Sequence, residues 1–194
     1  MKKVSAPSVD SSFGDDGKLI YGRSVGNDGL YHVFTQSNGD LVLSGWDDNN
    51  VSDPNAVQWA SQEVDSSGVM TQQFTNQDQY MFWSPRTDAI WETLLMSDGR
   101  YAQVGTAGTA EFDASKDYDC AIVVREADGG LDTSFSGDGK VFVTFNWAED
   151  DKCWAGAVQS DDKIIVAGWV MRCYGAVPCP TPWDIALARL NTDG

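Results

Sequence analysis

The 194-residue sequence contains a single histidine, His32, and no Cys-x-x-Cys pair among its four cysteines. One imidazole and no closely spaced thiols leave little from which to build a tetrahedral zinc site. Basic side chains are scarce as well. Thirteen Lys and Arg stand against 29 Asp and Glu, for a formal net charge of −16. Such a surface repels phosphodiester backbones and anionic headgroups, which argues against nucleic acid and membrane surfaces as partners. Long apolar runs are missing too. The longest, Ile164 to Met171, is far below the roughly 20 residues of a transmembrane helix. The opening MKKVSAPSVD carries two lysines with no apolar segment behind them, so no secretory leader is legible. Sustained helical periodicity is also absent, and the spacing of the glycines discourages it.

What the chain does have is 19 glycines and 22 aromatic residues (eight Trp, six Tyr, eight Phe), a mixture suited to strands joined by tight turns. It also repeats itself. VDSSFGDDGK (9–18) and LDTSFSGDGK (131–140) keep Asp-x-Ser-Phe and Asp-Gly-Lys at one spacing. Phe13 and Phe135 are 122 residues apart, with Phe74 midway, so the period is about 61 residues. Two further blocks hold the same register. LYHVFTQSNGDLVLSG (30–45), IWETLLMSDGRYAQVG (90–105) and CWAGAVQSDDKIIVAG (153–168) align without a gap. QWASQEVDSSG (58–68), CAIVVREADG (120–129) and DIALARLNTDG (184–194) form the second set.

Each unit reads as four short strands. The first is KLIYG, QYMFW or KVFVTF, following the Phe-containing loop. The second and third flank a hairpin turn, Ser-Asn-Gly-Asp, Ser-Asp-Gly-Arg or Ser-Asp-Asp-Lys, and the third is expected to stop at Gly45, Gly105 or Gly168. The fourth alternates, as in Ala186, Ala188 and Leu190. Four strands per repeat of this length predict an all-β fold, a β-propeller segment of three four-stranded blades with a ~61-residue repeat. The units are an N-terminal extension (1–7) and blades at 8–68, 69–130 and 131–194. The Phe-containing loop is expected to lead from one blade into the next, its Phe filling the gap between blades.

LDTSFSGDGKV, AVQSDDKIIVAG and DIALARLNTDG together resemble the delta-60 repeat family, tandem repeats of bacterial surface and secreted proteins. The resemblance implies propeller blades, an extracellular or cell-surface setting and no assigned catalytic activity or cofactor. The middle unit departs from the pattern, with Gln77-Asp78-Gln79-Tyr80 in place of the Asp-Gly-Lys corner. Three blades do not close a ring, since propellers have 4–8. The expected partners are therefore further blades, from a longer chain or from a second copy in a homodimer.

Candidate sites are few. Gly22-Arg23-Ser24-Val25-Gly26 matches the Gly-x-Ser-x-Gly nucleophile pattern, but a turn and a strand follow it where a hydrolase elbow needs a helix. An enzyme of hydrolase type on a propeller face is the alternative to a non-catalytic binding or scaffold module. Cys173 and Cys179 bracket a Pro-containing loop and form one candidate disulfide, leaving Cys120 and Cys153, in adjacent units, as the other. Acidic loops offer calcium candidates at Asp47, Asn49 and Asp53, and at Asp113, Asp117 and Asp119, without EF-hand spacing. Glu149, Asp150 and Asp151 form a third cluster. Tyr31, Trp91 and Trp154 occupy one position in all three units, as expected of wedges between blades or of stacking platforms for a carbohydrate. Trp46, Trp169 and Trp183 flank the variable loops and are the better ligand candidates, for glycan or protein.

Overall fold

The computed structural model describes residues 9–22, 27–47, 58–74, 89–108, 118–145, 150–171 and 183–194. Among them are eleven strands and no helix, in three antiparallel sheets. Sheet I has the order β1 (Asp28–Thr35), β2 (Leu41–Asp47), β3 (Gln58–Val64), β4 (Met70–Phe74). Sheet II repeats it with β5 (Ala89–Leu95), β6 (Tyr101–Gly108), β7 (Tyr118–Arg125) and β8 (Lys140–Val143). Sheet III holds β9 (Asp151–Val158), β10 (Ile164–Met171) and β11 (Trp183–Leu190), with β10 in the middle. The sheets stack. β5 lies against sheet I and β9 against sheet II, so sheet II is covered on both faces. That is why every residue of β6, and all but the first of β7, is buried.

The hairpins form where their turn residues place them. Gly39 and Gly99 take φ of 93° and 95° at the third turn position, a left-handed conformation that glycine adopts without cost. Asp162 holds the same position in sheet III at φ 57°. Its carboxylate accepts bonds from the Ser97 amide (2.9 Å) and hydroxyl (2.5 Å) in the neighbouring hairpin turn. An aspartate thus meets the backbone demand and also ties sheet II to sheet III.

The grouping of strands into sheets differs from the expectation. KVFV does not open sheet III. As β8 it pairs with β7 and closes sheet II. The loop containing Phe135 therefore connects two strands of one sheet and does not lead from one blade into the next. Its amide bonds bind it to both neighbours: Asp132 N donates to Val124 O in sheet II, and Ser136 N to Asp193 O beyond β11. Phe135 is fully buried in the core shared by sheets II and III, as its expected gap-filling role requires. Among the described residues sheet III has three strands where four were expected. Leu19–Gly22 is not in a strand, although KLIYG reads as one. Phe74, the midway marker, ends strand β4 and does not sit in an opening loop. QYMFW lies outside the described residues.

Nor do the middle strands stop at their glycines. β2, β6 and β10 run through Gly45, Gly105 and Gly168 to Asp47, Gly108 and Met171. The glycines answer a different need. Opposite each, the first strand carries an extra residue: pairing skips Tyr31 in β1, Trp91 in β5 and Trp154 in β9. Such a bulge bends the strand and re-aims its side chain, and here the backbone beside it lies close over the glycine. A Cβ on Gly45, Gly105 or Gly168 would fall well inside contact with the backbone carbonyl of Gly29, Ala89 or Lys152. Gly105→Ala is accordingly expected to cost about 2–3 kcal/mol. It should also diminish the near-ultraviolet circular dichroism of the tryptophans, since the bulge aims Trp91. Urea unfolding together with that spectrum would check both, and unchanged values would show that the bulge is not held by close approach.

Candidate functional site

Because the bulge residue is the aromatic one, the three bulges place three rings in line. Tyr31 and Trp91 lie with ring centroids 4.8 Å apart and planes 33° apart, and Trp91 and Trp154 lie 4.4 Å apart at 35°. The result is one column crossing the first strands of all three sheets. Trp91, in the middle, donates from its indole nitrogen to Thr106 Oγ1 at 3.2 Å. Tyr31 is 50% exposed and Trp154 45%, because each is an end of the column. The rings wedge sheet to sheet, and two of them remain open to solvent.

The second aromatic group belongs to sheet III. Trp169 of β10 and Trp183 of β11 meet edge to face, with centroids 3.8 Å apart. Lys152 of β9 places its ammonium 4.3 Å from the Tyr118 ring centroid and 5.4 Å from that of Trp169. Burial holds the Lys152 ammonium below the ordinary lysine range, with Asp150 acting in the opposite direction. This is a mixed aromatic and cationic surface, of the kind that takes a hydroxyl-rich or acidic group beside an apolar one. Sequence reasoning missed Lys152 and Tyr118, which are far apart in the chain and meet only because β9 packs on sheet II. Trp46 stands apart from both groups. It lines a cleft of about 280 Å³ with Leu19, Tyr21, Leu30 and Leu43.

Between sheets I and II the seam joins a buried polar network to the packed pair Trp59 and Ile90. Gln103 Nε2 donates to Ser44 Oγ (3.0 Å) and Ser61 Oγ (2.9 Å), and its Oε1 accepts from Arg125 Nε at 2.9 Å. Thr93 Oγ1 donates to Ser44 Oγ at 2.8 Å. Arg125, fully buried, also donates to Gly129 O at 2.9 Å. Tyr101 bonds to Glu63 Oε1 at 3.3 Å, and burial raises both the phenol and the carboxyl above their ordinary values. The signal for this network was an arginine directly after the apolar run CAIVV and a glutamine inside YAQVG. Between sheets II and III the seam is apolar and covalently closed by Cys120–Cys153, one of the two expected disulfides. Such a bond persists in an oxidising compartment. Cys173 and Cys179 lie outside the described residues.

Asp47 and Asp119, the calcium candidates among the described residues, are both buried at strand ends. Asn49, Asp53, Asp113 and Asp117 lie outside the described residues. Among those described, no group of three or more His, Cys, Asp or Glu side chains is placed to hold a metal ion. Asp150 and Asp151 act on the backbone, accepting from Tyr118 N (3.1 Å) and Phe145 N (2.6 Å). Ser24 of the nucleophile pattern is outside the described residues, and His32 sits within β1 opposite Ser44. No known family model matches the sequence, and no curated protein matches it.

Proposed function

We propose that the chain is a non-catalytic binding and scaffold module of a secreted or surface protein, three blades of a β-propeller of the delta-60 kind. The aromatic column carries this reading. The aromatic residue that recurs at the bulge of all three repeats joins sheet to sheet, as a stacking scaffold requires, and the column's ends face solvent. The disulfide between sheets II and III supports an extracellular setting. Its ligand is a glycan or a protein segment, taken at Trp169, Trp183 and Lys152, where the exposed Trp183 ring meets Trp169 and Trp169 meets a cation.

Titration of neutral and acidic oligosaccharides against intrinsic tryptophan fluorescence tests the glycan arm. A saturable shift is expected, weakened at least about tenfold by Trp183→Ala, which removes the exposed ring. The same titration should survive Ser24→Ala. A fluorescence response indifferent to Trp183 would remove this surface, and an esterase activity lost in Ser24→Ala would establish the hydrolase alternative.

A further inference from the structure

Two parts of the molecule are copies of one joint, and one copy is incomplete. In the loop before β8, Asp132 Oδ1 accepts from Ser134 N (2.9 Å) and Oγ (2.5 Å), and Ser136 N reaches Asp193 O (2.7 Å). In the N-terminal loop, Asp10 Oδ1 accepts from Ser12 N (3.0 Å) and Oγ (2.6 Å), and Gly14 N reaches Ser67 O (2.8 Å). After the first loop the chain enters β8 and pairs with β7. After the second, Lys18–Tyr21 joins no sheet and lies beside sheet I, lining the cleft with Leu30 and Leu43. Its Ile20 is 93% exposed.

The strand equivalent to β7 in the last sheet is β11, with Gly168 opposite Ala186 as Gly105 is opposite Ala121. Among the described residues nothing pairs with the outer edge of β11, and Ile185 on it is 92% exposed. Sheet II separates that edge from Lys18–Tyr21 of the same chain. We propose that a second copy of the chain completes the joint: Lys18–Tyr21 of each copy pairs with β11 of the other, and sheet III of each packs on the outer face of the other's sheet I.

The internal repeat gives the register. β7 and β8 pair Val123 with Lys140, Ile122 with Val141, Ala121 with Phe142 and Cys120 with Val143. The corresponding pairs across the two copies are Ala188 with Lys18, Leu187 with Leu19, Ala186 with Ile20, and Ile185 with Tyr21. Leu187 and Ile185 gain apolar cross-strand neighbours, and the exposed edge is satisfied by strand addition. The seam continues those already formed. Trp59 packs with Ile90 between sheets I and II, and Cys120 bonds Cys153 between sheets II and III. The next pair in that series is Ile185 with Leu30 of the second copy. Trp154 then stacks on Tyr31 of the second copy, which accounts for both column ends being half exposed. The two seams are related by a two-fold axis, so the assembly closes.

The inference rests on the stacked-blade reading of the chain but not on any ligand, so the glycan titration and the following experiment fail separately. Light scattering after size exclusion should give the wild type twice the 21.1 kDa of one chain. The double variant Leu30→Cys/Ile185→Cys, oxidised, should run as a covalent dimer on a non-reducing denaturing gel and return to single chains on reduction. Each single variant should stay uncrosslinked. Ile20→Asp alters a segment outside every sheet, so the fold is kept while a charge enters the exchanged strand. The dimer dissociation constant should rise at least about a hundredfold. A one-chain mass for the wild type, a double variant that crosslinks no more than the singles, or an Ile20→Asp dimer of unchanged strength would each overturn the proposal.

Discussion

Chains carrying Cys120→Ala and Cys153→Ala are expected to be less stable than the wild type by about 3–4 kcal/mol. The bond joins β7 of sheet II to β9 of sheet III across 33 residues. Removing a crosslink over that separation returns loop-closure entropy to the unfolded chain, and the estimate follows from the loop length alone. Both cysteines sit in the apolar core with Ile122, Val166 and Phe135, so alanine leaves a small void there and moves the loss toward the upper figure. Urea unfolding with and without reductant provides the measurement. The reduced wild type should lose nearly as much as the double alanine variant, because the constraint and not the side chain carries the effect. Equal midpoints for the wild type and the variant would mean that packing alone holds sheet III to sheet II.

Arg125→Ala is expected to cost about 3–5 kcal/mol for the opposite reason, since it breaks a buried polar network without replacing it. The guanidinium satisfies Gln103 Oε1 and Gly129 O, and its charge offsets the burial of Glu63. Truncation leaves those acceptors without their donor inside a seam that water does not reach. Replacing Arg125 and Glu63 together by Met and Leu should cost less than Arg125→Ala alone, because no charge is then left unpaired. The pH dependence has a definite sign. Burial raises the Glu63 carboxyl above its ordinary value of 4.5, so the folded chain keeps a proton that the unfolded chain has released. The stability this provides is complete below the unfolded value and is lost as pH climbs through the folded one. Arg125→Ala raises that carboxyl further, so part of its loss should be recovered on acidification to about pH 5. Glu63→Gln should give a flatter profile above pH 4.5. Parallel pH profiles for the wild type and Glu63→Gln would show that this carboxyl does not titrate between the two states.

Much of this architecture is legible in one dimension. The 61-residue period, the three hairpins with their Ser-Asn-Gly-Asp-type turns, and the alignment of Gly45, Gly105 and Gly168 all follow from residue identity, because turn chemistry and alternation are local properties. The candidate site was partly legible. The equivalence of Tyr31, Trp91 and Trp154 marked the column, and the short Cys173–Cys179 spacing left Cys120 and Cys153 as the other candidate pair, which the structure joins. Lys152 beside Trp169 could not be read in this way, and the apolar neighbours of Arg125 and Gln103 marked them without showing that they meet, since these partners come from different strands.

The sequence by itself therefore determined the all-β class, the repeat and the turns. Only the tertiary structure decided which strand joins which sheet, why the glycines are there, and which side chains meet across the seams. The physical reason is that a β-ladder is made between segments, not within them. KVFV has the same alternation whether it opens one sheet or closes another, and its hydrogen bonds to β7 are settled by where the Phe135 loop is anchored on both sides. The bulge at Trp91 likewise appears only when β5 meets β6, and that meeting makes Gly105 a requirement of close approach.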